Sequence, residues 1–346
     1  MKTLLSAVAA TALLTGAAAA QDLTGEITLG GYTGVFEDEY KKAVVDPFVA
    51  AHPGVTVNYT SDRASSGLLG QARAQKGDPQ MDVVFMDVTT ALIGNKEGLF
   101  APLTVEDVPN LADLVPQATV QEGYGPAATF DHAVITYNTE AVTEAPTSLE
   151  VLWDPKYAGK IAATSMPSIL GTGLMVMTSA MLGEDYTKSV DQSVEKLAEL
   201  APAVQTFDPK PDSYTLVMNG TVDLATGWNA RAQYYADASN GTLAAITPKE
   251  GTILQINTIN LVEGSKNPEL AKAFINYALS PEAQARFTEA MFYSPTNSKA
   301  QPSEAAQART VFGQLDSTLP LDWAWVATQN DRWNAMWKRR IITAGN

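Results

Sequence analysis

From Glu26 onward the chain alternates short runs rich in β-branched and aromatic residues with longer runs whose apolar residues recur at helical spacing. That alternation is what most narrows the folds open to it. It is the pattern of βα units, in which helices cover a mainly parallel sheet. Residues 27–32 read as a first strand that ends in a glycine-punctuated loop, and 36–51 as a helix with Phe36, Tyr40, Val44, Val45 and Phe48 on one face. Pro47 kinks that helix or ends its first part at Asp46. Residues 55–59 and 81–86 supply further strands, with a helix over 65–74 between them.

Residues 133–138 read as a long strand near which the chain crosses into a second unit. There the alternation resumes, with strands over 160–164, 204–207, 222–226 and 243–246 and helices near 172–182, 187–200, 211–219 and 230–238. Residues 252–261 read as a strand returning to the first unit, followed by helices over 267–277 and 281–291. Asn267-Pro268-Glu269 marks a helix start, with an N-cap, a proline in the first turn and an early acid. The tail from about Ser303 is expected to pack across the second unit.

Length fits two units. The chain opens with Lys2, an apolar stretch from Leu4 to Leu14 and four alanines before Gln21, which reads as a secretory leader with an Ala-x-Ala cleavage site. The apolar core is well short of the ~20 residues of a spanning helix. Setting aside residues 1–20 leaves 326 of 346 residues, enough for two lobes. The expected division is 21–130 plus about 255–302 for an N-terminal lobe and 131–254 plus about 303–346 for a C-terminal lobe.

Removing the leader's one basic residue takes the net charge from −15 to −16, which repels nucleic acid and anionic lipid. A local site can still carry either sign. The absence of cysteine excludes disulfides and thiolate chemistry. His52, in a turn-like His-Pro-Gly, and His132 form no zinc-ligand spacing. No G-x-S-x-G elbow is present, so a secreted hydrolase fits poorly. No cofactor is expected.

Several local sequences recur in one order: Tyr137-Asn138-Thr139, Pro146-Thr147-Ser148-Leu149, Leu152-Trp153-Asp154-Pro155-Lys156-Tyr157-Ala158-Gly159-Lys160, Asn219-Gly220 with Val222-Asp223, Pro248-Lys249-Glu250-Gly251, Ser280-Pro281-Glu282-Ala283-Gln284 and Tyr293-Ser294-Pro295-Thr296-Asn297. Each is weak alone, but together they span nearly the whole chain after the leader. In this the chain resembles the periplasmic solute-binding proteins of ABC importers, especially the polyamine and ferric-iron receptor branch. The resemblance implies an α/β, two-lobed periplasmic-binding-protein fold (type II-like) with mainly parallel sheets, a hinge and an interlobe ligand cleft beyond the strand ends. It also implies a monomer without enzymatic activity that closes on a small molecule and passes it to membrane permease subunits, without inserting into the membrane itself.

Carried onto this sequence, the resemblance points to Tyr32 and Thr33 after the first strand, Trp228 as an aromatic wall, and Tyr293 and Gln329 as ligand contacts. The alternative for Trp228 is to cover the sheet as core. Where polyamine receptors have Trp and Asp, this chain has Gln255 and Asn257, and the loop 165–169 lacks the expected acidic pair. A polycation would find too few anions. Arg231 stands where the branch usually has a small residue, and a guanidinium there suggests an anionic ligand group; a surface salt bridge is the alternative. Asp87, with Thr89 two residues on, would suit a ligand ammonium or would cap the following helix. Arg63, Ser65 and Ser66 make a second polar loop whose amides could receive an anion. The expected ligand is a small zwitterion or anion of the γ-aminobutyrate or aminophosphonate type, with a polyamine as the alternative. Tyr234-Tyr235 invites an iron reading, but lies four residues later than the Asn219-Gly220 anchor requires, which favours ordinary packing.

Overall fold

A computed structural model describes residues 23–345, so the leader read in 1–20 lies outside the described residues. β1 (Thr24–Tyr32) pairs in parallel with β2 (Gly54–Asp62) on one side and β3 (Val83–Asp87) on the other. Between β1 and β2 run α1 (Val35–Tyr40), a π-helical turn over Lys41–Val45 and α2 (Asp46–Ala51). Pro47 therefore loosens the expected helix without ending it. It has no N–H to offer the carbonyl of Ala43, four residues back, and that oxygen accepts from Arg286 Nε instead at 2.9 Å. α3 (Ser65–Ala74) leads to β3, and α4 (Val88–Lys96) with the short β4 (Phe100–Ala101) follows it.

β5 (Ala127–Asn138) is the first strand shared by the two halves of the sheet. All twelve of its residues are buried, so it shows no alternation, and only its second half was legible in the sequence. Then come β6 (Ile161–Ala162), α5 (Ile169–Met181), α6 (Asp191–Leu200), β7 (Val204–Thr206), α7 (Ser213–Met218), β8 (Leu224–Trp228), α8 (Asn229–Ala238) and β9 (Leu243–Ile246). α6 starts later than expected because Asp185 accepts from the Thr187 N–H and hydroxyl, closing a turn over 185–188. β10 (Leu254–Val262), α9 (Pro268–Ala278), α10 (Pro281–Met291), β11 (Ser294–Pro295), α11 (Glu304–Gln307) and α12 (Trp323–Met336) complete the chain. α9 begins at Pro268 as expected, but Asn267 does not cap it: its amide donates to the Glu26 carbonyl at 2.7 Å and ties the helix start to β1.

The strand order is β2-β1-β3-β10-β5-β8-β6-β7. β6 pairs in parallel with β7 and β8, as β1 does with β2 and β3. β10 runs antiparallel between β3 and β5, and β5 antiparallel to β8 and β9, so both sheets are mixed where the sequence suggested mainly parallel ones. The fold is two-lobed α/β. One core gathers Phe36, Tyr40, Phe48, Phe85, Phe274 and Phe287. A second gathers β5, α5 and α6 with Trp323, Trp333 and Trp337 of the tail.

β5 contributes its first half to one sheet and its second half to the other. Asp131 pairs with Gln255 and His132 with Leu254 on β10, whereas Ala133 pairs with Trp228 on β8. The chain therefore passes between lobes at residues 131–133. Those residues sit where a hinge must bend.

Candidate functional site

The strand ends of the first lobe converge on one hydrogen-bonded chain. Tyr32, the last residue of β1, donates to Asn257 Oδ1 at 3.1 Å and pairs with Ser65 Oγ at 3.0 Å. Ser65 opens α3 and accepts the Asp87 N–H at 2.8 Å, while Asn257 Nδ2 donates to Thr129 Oγ1 at 3.1 Å. With the Tyr32 proton committed to Asn257, the Ser65 hydroxyl must donate to Tyr32, so the protons from Ser65 through Tyr32 and Asn257 to Thr129 run in one direction. Burial, then the nearby Asp87 charge, raises the Tyr32 pKa well above its ordinary value. Tyr32 is thus a fixed neutral donor.

Asp87 fills the capping role. Its Oδ1 accepts from Thr89 Oγ1 at 2.6 Å and the Thr90 N–H at 3.0 Å, and its Oδ2 from Thr90 Oγ1 at 2.7 Å, so both oxygens serve the start of α4. Thr33 is held through its backbone N–H to the Asp62 carbonyl. Ser66 is exposed beside the network.

The second lobe brings Arg231 to the first turn of α8. The guanidinium is half-buried and makes no hydrogen bond or ion pair among the described residues. Burial works against its charge, but Tyr293, Tyr214, Tyr235 and Asp212 outweigh it and hold the group firmly protonated. Tyr293, 6% exposed, comes from the first lobe, stacks on Phe287 at 5.3 Å and meets Phe36 edge-on at 5.7 Å. Tyr32 meets the same Phe36 at 5.2 Å, so one buried ring seats both tyrosines. Trp228 ends β8 half-buried against the second core; Tyr214 fixes its backbone, accepting its N–H at 2.7 Å and donating to its carbonyl at 3.1 Å.

Gln329 stands apart from this cluster. It lies on α12, and its side-chain bond is to the adjacent Thr328 hydroxyl at 3.0 Å. Tyr234 packs on the first-lobe core and Tyr235 on a cluster around Tyr214, their rings meeting edge-on at 5.8 Å, which is the ordinary packing weighed against an iron site.

Sequence reading missed Asp131. It is 1% exposed on β5, and its Oδ1 accepts the Ala230 N–H at 3.0 Å and the His132 N–H at 2.7 Å, closing the start of α8 from across the hinge. Its Oδ2 is buried without a partner. Burial pushes its pKa up to about 7 against the opposing pull of those N–H groups and of Arg231. A titratable pair, Asp131-His132, inside an otherwise largely apolar run was the available signal.

That pair yields a stability prediction. Folded Asp131 protonates at about 7 and its unfolded form near 3.8, so between these the folded state holds the extra proton and stability falls as pH rises. Burial lowers the His132 pKa to about 3 against 6.5 unfolded, so there the unfolded state holds the extra proton and stability rises with pH. Between about 4 and 6.5 the two slopes cancel. His132→Gln is expected to leave the Asp131 slope exposed, gaining about 1.4 kcal/mol per pH unit of acidification relative to the parent. Urea unfolding at pH 4.5, 5.5 and 6.5 measures this, and parallel profiles for parent and variant would refute it.

The opposite face of β10, carrying Leu254 and Ile256, borders an interlobe cavity of about 850 Å³ walled by α4 and the 315–324 segment. Its lining includes Asp185, Asp316 and Asp322 and no lysine or arginine.

Two lobes joined through β5, with polar groups from both meeting where it passes between them, define a ligand receptor of the closing type. The sequence profile described as bacterial extracellular solute-binding protein matches residues 43–312, and the chain belongs to that family. A spermidine/putrescine-binding periplasmic protein of Haemophilus influenzae is 27% identical over 199 residues, 55% of this chain and about half (53%) of that protein. A γ-aminobutyric acid-binding protein of Pseudomonas aeruginosa is 25% identical over 290 residues, 81% of this chain and 80% of that one. The crystal structure of an ABC transporter protein from Clostridium perfringens superimposes with a TM-score of 0.74 at 28% identity, covering 91% of this chain and 99% of that one. The protein is thus a transport receptor of the ABC-importer kind and not an enzyme. No helix among the described residues is long and apolar enough to cross a membrane.

Proposed function

We propose that this receptor works in the periplasm, after removal of the leader, as a monomer that captures a small zwitterionic or anionic organic solute and presents it to permease subunits. The observation that carries this reading is Arg231, a half-buried, firmly charged guanidinium with no protein partner among the described residues. Its donors have no direct partner among those residues, and an acidic ligand group accepting a bidentate pair supplies one. In our assignment residues 21–130 with about 255–302 form one lobe and 131–254 with about 303–346 the other. A ligand touching Tyr32 or Tyr293 in the first and Arg231 in the second binds the closed arrangement best and draws the equilibrium toward it.

The 850 Å³ cavity, lined by acids and no cation, supports a second reading, the polyamine one. Its acids are largely engaged: Asp185 with Thr187 and Lys188, Asp322 in capping α12. The test is mass spectrometry of ligand retained through purification, followed by calorimetric titration with γ-aminobutyrate, 2-aminoethylphosphonate and putrescine. Binding of the first two is expected. Binding of putrescine alone would defeat the zwitterion reading in favour of the second.

A further inference from the structure

Asp131 and Arg231 flank a single peptide at the start of α8, because Asp131 Oδ1 accepts the N–H of Ala230, the residue immediately before Arg231. Opposite charges held so close would ordinarily pair, yet no ion pair forms between them within 4.0 Å. Gln255, directly across the ladder from Asp131, also makes no side-chain hydrogen bond among the described residues. A buried carboxylate oxygen of Asp131 is therefore left unpartnered, near a half-buried guanidinium and a half-buried amide that make no hydrogen bond among the described residues. A buried carboxylate oxygen is almost always paired, and this exception, beside two half-buried groups with free donors, points to something that arrives.

We propose that Asp131 accepts the ligand's ammonium group, so that the hinge strand reads the positive end of a zwitterion whose acidic end is held by Arg231. This rests on the reading of Arg231 as the anion clamp. It narrows the solute class to molecules whose amine and acid are separated by a few bonds, such as short-chain amino acids or aminophosphonates. Because Asp131 also closes α8 across the hinge, an ammonium drawn to Oδ2 places the ligand where the lobes join.

Asp131→Asn separates ligand binding from capping. The amide oxygen of Asn still accepts from Ala230 and His132, while the second position changes from an acceptor to a donor that repels an ammonium. Calorimetry with γ-aminobutyrate against butyrate, and 2-aminoethylphosphonate against ethylphosphonate, reads the discrimination directly. The variant is expected to lose at least about tenfold in affinity for each amino compound while leaving the deaminated partners unchanged. Equal loss for both members of a pair, or no loss for either, would overturn the assignment. A parent protein that binds putrescine alone would defeat the zwitterion reading while the variant still tests Asp131 as an ammonium acceptor: weaker putrescine binding supports that role, and unchanged binding ends it.

Should the variant fold poorly, the parent provides a second measurement. Tyr293, Tyr214 and Arg231 surround Asp131 and none of them titrates near neutrality, so Asp131 is the group free to exchange a proton. Binding γ-aminobutyrate at pH 7 should release about half a proton, seen as a dependence of the heat on buffer ionisation enthalpy, and butyrate none. Equal release by both would overturn the proposal.

Discussion

Arg231→Ala is expected to weaken binding of an acidic solute by two to three orders of magnitude. Two charge-assisted hydrogen bonds, taken at the lower end of their range because the group is half-exposed, at roughly 1.5–2 kcal/mol each, give a loss of about 3–4 kcal/mol, or about 10²- to 10³-fold in Kd. Stability should move little, because the guanidinium makes no bond within the protein that its removal would break. The melting temperature of the variant should therefore stay close to the parent's. Arg231→Lys should fall between, since an ammonium keeps the charge but not the planar pair of donors. Titration with γ-aminobutyrate and 2-aminoethylphosphonate checks both variants; affinity within twofold of the parent in Arg231→Ala would remove it from the site.

Phe36→Ala carries the largest expected effect on stability. The ring is almost wholly buried and meets Tyr32, Tyr40, Phe85, Phe287 and Tyr293 at centroid distances of 5.2–5.7 Å. Deleting a buried Phe costs about 3–5 kcal/mol through lost transfer energy and the cavity left behind, which for lobes of this size lowers Tm by about 10 °C. Two of those neighbours, Tyr32 and Tyr293, face the site, so affinity should fall as well. Phe274→Ala is the matched control. Phe274 is as deeply buried but packs on Phe48, away from both tyrosines, and should cost comparable stability with affinity intact. Equal affinity in the two variants would show that Phe36 does not seat the site.

How far the sequence could be read depended on whether a residue's environment was local. β1, β2 and α9 were legible because their cues lie within a few residues: a β-branched run, a glycine pair, a proline after Asn267. The first half of β5 was not, because a strand buried on both faces has no period to read. Tyr32, Ser65, Asp87 and Asn257 were picked out separately, by resemblance or by position after a strand, and the fold brings them into one hydrogen-bonded chain. Asp87 offered two readings, and the choice turned on Thr90, whose N–H and hydroxyl both reach it. The capping role of Asp131 was not legible, because its partner, the Ala230 N–H, lies 99 residues away.

The placement of β10 sets an order of assembly. In the first lobe β3 and β5 never touch as neighbours; each pairs with β10, which enters between them about 120 residues after β5 ends. The Thr258 hydroxyl and the Asn260 amide of β10 are what reach the carbonyls of Met86 and Val84 on β3. A chain growing from its N-terminus therefore carries β1, β2 and β3 as an incomplete sheet with an open edge until residue 262 is available, while β5 to β9 can already pair among themselves. The first lobe's sheet is thus closed only after the strands of the second can pair, and the interval leaves an apolar strand edge exposed to whatever holds nascent chains unfolded.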